Sequence, residues 1–400
     1  MTGQLSFIWD ERLRAYDFGS GHPLSPLRVR LAHQLTRDLG VLDLSNVETV
    51  GPVSPASNAD LARVHLPEYI AAVERASAPG ARIDPSHGIG TEDVPRFDGM
   101  HEASALVAGA TLAAARAVYS KSSLHAVNLA GGLHHAMPGY ASGFCVYNDI
   151  GVAIAWLLEQ GVRRIGYVDV DVHHGDGVQA MFFDDPRVMT MSLHEDPRVL
   201  FPGSGYPDEI GAPGAEGTSI NVVLPAGTRD AGWLRAFDAV VPEALSAFEP
   251  EILVTQQGCD THYLDPLADL GLSIEGQRAS YQRLHALAHH LCDGRWVAVG
   301  GGGYEWVDVV PRAWAHLTAI AAGSPIDPDS PVPESFSGYI KSHLGRPGPE
   351  LMGDGYEIEP VAWTQGYDLL DPLDMSILRT REAVFGHLGL AADPCPLWPG

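Results

Sequence analysis

The sequence has few cysteines, and none of them form the close pairs that mark a redox motif or a disulfide framework. The four are Cys145, Cys259, Cys292 and Cys395. No apolar run reaches the roughly 18 residues of a membrane span, and residues 1–10 lack a charged segment followed by an apolar core. These features favour a soluble, cytoplasmic protein with reduced thiols, and they disfavour a disulfide-stabilised secreted domain.

Basic residues are also scarce, with 25 Lys and Arg against 50 Asp and Glu, a formal charge of −25. Such a charge repels phosphate backbones and disfavours nucleic-acid partners. The phosphate-binding pattern G-x-x-x-x-G-K-[ST] is missing, and no basic residue follows the glycine-rich turn before Tyr304. With 45% hydrophobic and 19% charged residues, the composition is that of a globular protein with an ample core.

Short β-rich apolar runs alternate with longer helical patterns along the middle of the chain. The predicted strands are 124–129, 164–170, 188–193, 220–224, 252–256 and 296–299. The predicted helices are 149–159, 176–183, 233–248, 274–291 and a last stretch near 375–388. This alternation predicts an α/β fold with a mostly parallel central sheet and helices on both faces. Ligands of such sheets bind beyond the carboxyl ends of the strands.

The 44 glycines and 30 prolines concentrate in long loops such as 79–99 and 192–217, and long ordered loops are usually functional. After residue 323 the chain becomes rich in proline and glycine before its last helix. We therefore expect one domain over residues 1–323, with residues 324–400 as an appendage packed on the same domain.

The segment I-G-Y-V-D-V-D-V-H-H-G-D-G, residues 165–177, is the most informative part of the sequence. The two-residue period of a strand would send Asp169, Asp171 and His173 to one face. Carboxylate and imidazole ligands suit a zinc-class ion, and a catalytic zinc keeps three protein ligands and one open position. Asp260, which follows a strand on the same sheet edge, is the best candidate for the third ligand.

Two adjacent histidines, His134 and His135, follow another predicted strand in A-G-G-L-H-H-A. Side chains of this type can accept a proton from an attacking water and return one to a leaving amine. Asp169 and Asp176 are available to hold the two rings in the required tautomers.

A glycine-rich turn, G-G-G-G-Y, follows the last predicted strand. Its glycines, Gly302 among them, have no side chains to pack, so the turn is expected to be shaped by the ligand that approaches it. The phenol of Tyr304 would then face the metal and donate a hydrogen bond to the oxyanion of a tetrahedral intermediate.

Eight motifs in order resemble the histone deacetylase superfamily over about residues 16–320, and the similarity is greatest to the bacterial acetoin-utilisation deacetylases of the class I type. They are G-H-P-L-S-P-L-R-V-R, F-D-G, G-G-L-H-H-A, G-F-C-V-Y-N-D, D-V-D-V-H-H-G-D-G, S-L-H-E-D-P, G-C-D and G-G-G-G-Y. The resemblance implies the arginase/deacetylase fold and zinc-dependent hydrolysis of Nε-acetyl-lysine in proteins, with residues 1–323 as the catalytic domain.

The resemblance also implies a role for each of the catalytic residues. Asp171, His173 and Asp260 would bind zinc. His135 would be the general base and acid, and His134 its electrostatic partner. Tyr304 would polarise the acetyl carbonyl.

Further residues gain a role only through the resemblance. Phe144 and Phe201 would wall a narrow tunnel for the lysine side chain, and Gly143 and Leu267 would line it. Asp93 would hold backbone amides of the substrate. A structural potassium ion would be enclosed by Asp169, Asp171, His173, Ser192 and Leu193.

The implied partners are acetylated protein lysines, with an acyl-CoA synthetase as one candidate, and the oligomeric state is open. One alternative is an acetylpolyamine amidohydrolase with the same metal chemistry, although Leu267 offers no carboxylate to a distant ammonium. A second is an arginase-like enzyme with two metals, for which we find no second set of carboxylates. A third is a non-catalytic acyl-lysine binding protein, which the complete set of catalytic residues disfavours.

Overall fold

A single open sheet of eight parallel strands forms the centre of the computed structural model, which describes residues 4–393. In chain order the strands are β1 (Leu5–Ile8), β2 (Val47–Val50), β3 (His125–Asn128), β4 (Ile165–Asp169), β5 (Val188–Glu195), β6 (Ser219–Leu224), β7 (Ile252–Gln256) and β8 (Trp296–Val299). Their order across the sheet is β2-β1-β3-β8-β7-β4-β5-β6, and each neighbouring pair is parallel. The predicted fold class is confirmed.

Helices connect the strands and cover the sheet. They are α1 (Leu27–Asp38), α2 (Asn58–Leu61), α3 (Pro67–Ser77), α4 (Met100–Tyr119), α5 (Asp149–Glu159), α6 (Asp176–Phe182), α7 (Asp230–Phe248), α8 (Ile274–Leu291), α9 (Val310–Ala321), α10 (Glu334–Leu344) and α11 (Pro372–Val384). Helix α4 packs against β1, β3 and α5, while α9, α8 and α7 pack side by side and contact β3, β7 and β5. The central strands β3, β4, β7 and β8 are buried along their whole length, as expected for parallel strands covered by helices.

Several predicted elements have the predicted bounds, namely Asp149–Glu159, Ile252–Gln256, Ile274–Leu291 and Trp296–Val299. Two differences affect the site. Strand β4 ends at Asp169, so Asp171 and His173 lie in the turn after the strand and not on it. Strand β5 continues to Glu195, two residues beyond the predicted end at Leu193, so the loop expected to begin at residue 192 begins after the strand.

The carboxyl ends of β3, β8, β7 and β4 lie side by side, because these four strands are neighbours in the sheet. The loops that follow them carry, in the same order, the histidine pair, the glycine-rich turn, the segment of Asp260 and the segment of Asp171. Strand order therefore brings together residues that are far apart in the sequence.

The last helices contact the sheet and its covering layer. Helix α11 packs against β6 and α7, and α10 packs against α1. A buried ion pair joins Arg235 of α7 to Asp374 of α11, with Nε and Oδ1 2.7 Å apart. Paired buried charges of this kind are costly to separate.

In the described part of the chain, Cys145, Cys259 and Cys292 are buried and free. Cys395 lies outside the described residues, as does the end of the predicted appendage. Every helix within residues 4–393 falls short of the length and hydropathy needed to cross a membrane.

Candidate active site

Asp171, His173 and Asp260 converge on one buried point beyond the carboxyl ends of β4 and β7. One ligand atom from each lies within 4.8 Å of the other two. Nδ1 of His173 lies 3.1 Å from Asp171 Oδ1 and 3.1 Å from Asp260 Oδ2. The structure thus brings together the three residues predicted as metal ligands.

A pair of local hydrogen bonds keeps Asp171 and His173 on the same side without a strand. The carboxylate of Asp169 accepts from the backbone N–H of Asp171 (3.1 Å), and the carboxylate of Asp171 accepts from that of His173 (3.0 Å). Aspartate commonly bonds the backbone two residues ahead in this way. The D-x-D-x-H pattern therefore brings its side chains together through two successive turns, each closed by an aspartate carboxylate.

The donor set fits a divalent transition ion. Burial opposes protonation of His173, but the hydrogen bonds that its ring donates to Asp171 and Asp260, together with their negative charges, raise its pKa to about 10. Burial and the charge of Asp171 raise the pKa of Asp260 to about 6. Both shifts show that the pocket favours positive charge at its centre. Two carboxylates and a neutral imidazole around a dication would satisfy that requirement.

Gly302 completes the cradle from the turn after β8. Its N–H donates to Asp171 Oδ2 (2.7 Å), and a Cβ at this position would overlap the carboxylate of Asp260. Any larger residue would displace one of the two carboxylates. Gly302, predicted from the sequence to contact the substrate, thus lies against two of the predicted metal ligands in this structure.

The histidine pair lies next to this centre. Nδ1 of His134 donates to Asp169 Oδ2 (2.7 Å), and Nδ1 of His135 donates to Asp176 Oδ1 (2.7 Å). The two Nε2 atoms are 3.0 Å apart, and Nε2 of His134 is 3.9 Å from Asp171 Oδ2. Both carboxylates named from the sequence thus contact the rings they were expected to orient.

The surroundings push the pKa values of the two rings apart. For His134, burial is outweighed by Asp169 and Asp171, which raise its pKa to about 9. For His135, burial and the neighbouring His134 lower its pKa to about 4, despite Asp176. A charged ring beside a neutral one is the arrangement expected of an electrostatic partner and a base.

Tyr304 lies at the end of the glycine-rich turn, with its ring edge-to-face against Phe144 at 5.8 Å between centroids. Burial, followed by the charges of Asp260 and Asp171, holds the pKa of its phenol well above 10. The hydroxyl is therefore protonated and able to donate.

Asp265 is a residue that the sequence reasoning missed. Its Oδ2 accepts from the backbone N–H of Tyr304 (2.8 Å) and its Oδ1 from that of Leu267 (3.0 Å). One buried carboxylate thus fixes both Tyr304 and the loop of Leu267. The only signal in the sequence is an additional aspartate five residues after Asp260.

The two predicted tunnel residues, Phe144 and Phe201, each pack against a side chain of the candidate site. Phe201, 45% exposed, packs edge-to-face on His135 with centroids 5.0 Å apart, while Phe144 packs on Tyr304. Phe144 adopts a left-handed backbone with φ 64°, and a Cβ at Gly143 would overlap the ring of His135. Strained backbone of this kind concentrates at functional sites.

Asp93 and Leu267 have different relations to these rings. Oδ2 of Asp93 accepts from the backbone N–H of Gly143 (2.7 Å), so this carboxylate supports the turn that presents Phe144. Burial raises its pKa. Leu267 is half-buried, and its described polar contact is with Asp265.

Of the residues predicted to enclose potassium, Asp171 and His173 belong to the ligand cluster, and the other three lie on β4 and β5. Asp169 of β4 is in register with Ser192 of β5, and Leu193 is the next residue on that strand. The hydroxyl of Ser192 is 2.8 Å from Nδ1 of His194.

Three other supporting residues were not predicted. Gln256 donates from Nε2 to Asp171 Oδ2 (2.6 Å). Asp149 accepts from the N–H of Leu133 (2.8 Å) and so shapes the loop before the histidines. Arg28 donates to the carbonyl of Gly301 (2.5 Å) and holds the glycine-rich turn. Arg28 and Asp149 belong to motifs recognised in the sequence, whereas Gln256 has no such signal.

A model of the histone deacetylase domain matches residues 22–321. The chain belongs to the histone deacetylase family. It is 44% identical over 334 residues to the acetoin utilization protein AcuC of Bacillus subtilis (strain 168), covering 82% of this chain and 84% of the relative. It is 33% identical over 340 residues to the protein of the same name from Staphylococcus xylosus, covering 84% and 87% respectively.

Among solved structures, a histone deacetylase homologue from Aquifex aeolicus matches with a TM-score of 0.81 and 26% sequence identity. The match covers 94% of this chain and 99% of that one. The family resemblance found in the sequence is therefore confirmed, and with it the deacetylase fold and membership in a family of amidohydrolases.

Proposed function

We propose that this protein hydrolyses Nε-acetyl-lysine in proteins and releases acetate in a zinc-dependent reaction. The observation that carries the proposal is the buried cluster of Asp171, His173 and Asp260 beside the histidine pair, which lines one cavity together with Tyr304. Acetate release from an acetyl-lysine peptide, assayed with metal-loaded and metal-free enzyme, tests it.

Asp171, His173 and Asp260 would hold the zinc. When bound, such an ion polarises the scissile carbonyl and makes water more acidic. Gly302 and Gln256 fix the Asp171 carboxylate through hydrogen bonds of 2.7 and 2.6 Å, so the ligand geometry is set before substrate arrives.

His135 accepts the proton of the attacking water and returns it to the lysine amine as the amide bond breaks. Its low pKa supports the first of these roles, since the ring is neutral before reaction. Asp176 fixes its tautomer. His134, held by Asp169, keeps a positive charge next to the developing negative charge.

Tyr304 donates its hydroxyl hydrogen to the carbonyl oxygen as that oxygen gains charge. Asp265 positions the residue through its backbone N–H, and Phe144 packs against its ring. A preorganised donor of this kind stabilises the transition state more than the bound substrate.

Replacing Tyr304 by phenylalanine should lower kcat about a hundred- to a thousandfold, because one oxyanion donor is worth about 2.7–4 kcal/mol. Metal content should be unchanged, since the phenol is not a proposed ligand. Steady-state rates and metal analysis of the same preparation provide the measurement. A variant with unchanged kcat and a raised KM would show that Tyr304 only binds substrate.

The substrate side chain would pass between Phe144 and Phe201, with Gly143 and Leu267 as further lining. Two aromatic faces suit the four methylene groups of lysine, and the neutral amide then reaches the metal. The half-exposed ring of Phe201 supports a position at the rim. A polypeptide backbone would remain outside, near Asp93.

Asp93 favours a peptide over a small cation. One carboxylate oxygen is bonded to Gly143, and we propose that the other accepts from the substrate backbone. Leu267 offers no charge to a distant ammonium, which disfavours the alternative of an acetylpolyamine amidohydrolase. An unmet buried acceptor costs about 1–3 kcal/mol, so a preference for peptide of about ten- to a hundredfold follows.

Replacing Asp93 by asparagine should lower kcat/KM for acetyl-lysine peptide about tenfold and leave that for acetylspermidine unchanged. The amide oxygen of asparagine can still accept from Gly143, while its NH₂ group replaces the second acceptor. Asp93→Ala, which also removes the bond to Gly143, serves as the comparison. Equal losses on both substrates in the asparagine variant would show that Asp93 only supports the turn.

The proposal also covers a second cation, the cellular location and the protein substrates. We propose potassium near Asp169, Asp171, His173, Ser192 and Leu193, action in the cytoplasm, and acetylated proteins such as an acyl-CoA synthetase as substrates. We also propose a catalytic domain over residues 1–323 and an appendage over residues 324–400 that packs on it.

A further inference from the structure

Three histidines meet at the end of the sheet opposite the active site. His125 is the first residue of β3, whereas the histidine pair follows the last residue of that strand. His285 and His289 lie one turn apart near the carboxyl end of α8 and so share one face of the helix. None of the three belongs to a motif used for the proposed reaction.

The three rings point nitrogen atoms at a common space. Nε2 of His125 lies 3.1 Å from Nε2 of His289, and one ligand nitrogen from each of the three residues lies within 4.8 Å of the others. Ring centroids are 4.6–4.9 Å apart, with interplanar angles of 59–78°. Tilted rings at this spacing allow three nitrogen lone pairs to converge.

These distances suit a shared metal ion. Zinc–imidazole bonds are about 2.0–2.1 Å long, so two nitrogens on one tetrahedral ion are about 3.3–3.4 Å apart. The His125–His289 separation is already close to this value. The third ligand nitrogen belongs to His285, a half-buried side chain on α8, and lies within 4.8 Å of the other two.

The environment provides both a fixed ligand and access from solvent. His125 is buried beside Trp296 of the next strand, whereas His289 is exposed. Burial and the neighbouring imidazoles hold the pKa of His125 at about 3, so the ring is neutral, the form that binds metals.

We propose that His125, His285 and His289 form a second metal site for a divalent ion of the class that imidazole binds, such as Zn²⁺, Ni²⁺ or Cu²⁺. A fourth position is open to water. The ion ties the start of β3 to α8. Mg²⁺ and Ca²⁺, which require oxygen ligands, do not bind there.

The test is calorimetric titration with Ni²⁺ of enzyme reconstituted with one equivalent of zinc, which fills the catalytic cluster and leaves the second site open, with Mg²⁺ as the comparison. Wild-type protein should take up one equivalent of Ni²⁺ and none of Mg²⁺. His285→Gln and His289→Gln should each weaken Ni²⁺ binding at least tenfold. The matched control is His290→Gln, since His290 is the next residue on α8, is exposed and lies outside the cluster.

Deacetylation of a peptide by the zinc-loaded enzyme should be the same in wild type and all three variants, so this result is independent of the proposed catalytic site. Absence of Ni²⁺ uptake by wild-type protein would overturn the proposal and leave a simple hydrogen bond between His125 and His289. Equal Ni²⁺ binding by His289→Gln and wild type, or equal weakening in His290→Gln, would overturn it as well.

Discussion

Replacing Asp171 by alanine should abolish both retention of the catalytic metal and release of acetate. Asp171 supplies one of three ligands, and its carboxylate also accepts from Gly302, Gln256 and the backbone of His173. Two ligands without a third bind zinc weakly, and no other described carboxylate belongs to the cluster. Metal analysis after dialysis and a peptide assay measure the two losses.

The alanine variant also leaves buried donors without a partner, so its fold needs a check. Asp171→Asn keeps the size and a carbonyl oxygen while removing the charge, and it should lose metal and activity with an unchanged circular dichroism spectrum. Asp208→Ala, at an exposed position, is the matched control and should behave as wild type. Wild-type metal content and activity in Asp171→Asn would contradict the ligand assignment.

Replacing His135 by alanine should lower kcat by about 10²- to 10⁴-fold, the usual contribution of a positioned acid or base. Metal content should remain at the wild-type level, because the ring contacts Asp176 and His134 and none of the three ligands at bonding distance. This combination separates His135 from Asp171, whose loss should affect both measurements.

The control for His135 is His343→Ala, which removes an exposed imidazole on α10. Added imidazole should restore part of the rate of His135→Ala, since the substitution leaves a ring-sized space next to Asp176. A His135→Ala enzyme with turnover within a few fold of wild type would reassign the base to His134.

Periodicity predicted the elements with a clear pattern. Helix α8 and strand β8 have the predicted bounds because each has a distinct apolar pattern and a clear boundary, including Ser273, which caps α8. Helix α4 was not predicted. It is buried on nearly all sides and therefore lacks the amphipathic pattern that marks a surface helix. Strands β1 and β2 were not predicted either, because polar residues interrupt their apolar runs, Ser6 in β1 and Glu48 and Thr49 in β2.

The reacting groups of the site could be predicted from the sequence because they lie in short motifs at strand ends. The residues that position them could not be predicted. Asp265 and Gln256 act through contacts with Tyr304 and Asp171 that only the folded chain creates. The same holds for the histidine cluster, in which His125 and His289 are separated by 164 positions but share a contact of 3.1 Å.

Zinc titration of metal-free enzyme, with acetate release from an acetyl-lysine peptide and from acetylspermidine followed in parallel, tests the central claim most directly. Activity should be absent at the start, return with the first equivalent of zinc and gain nothing from a second. Under the same conditions kcat/KM for the peptide should exceed that for the polyamine about ten- to a hundredfold. Full activity of the metal-free enzyme, or faster hydrolysis of acetylspermidine than of every peptide tried, would contradict the account.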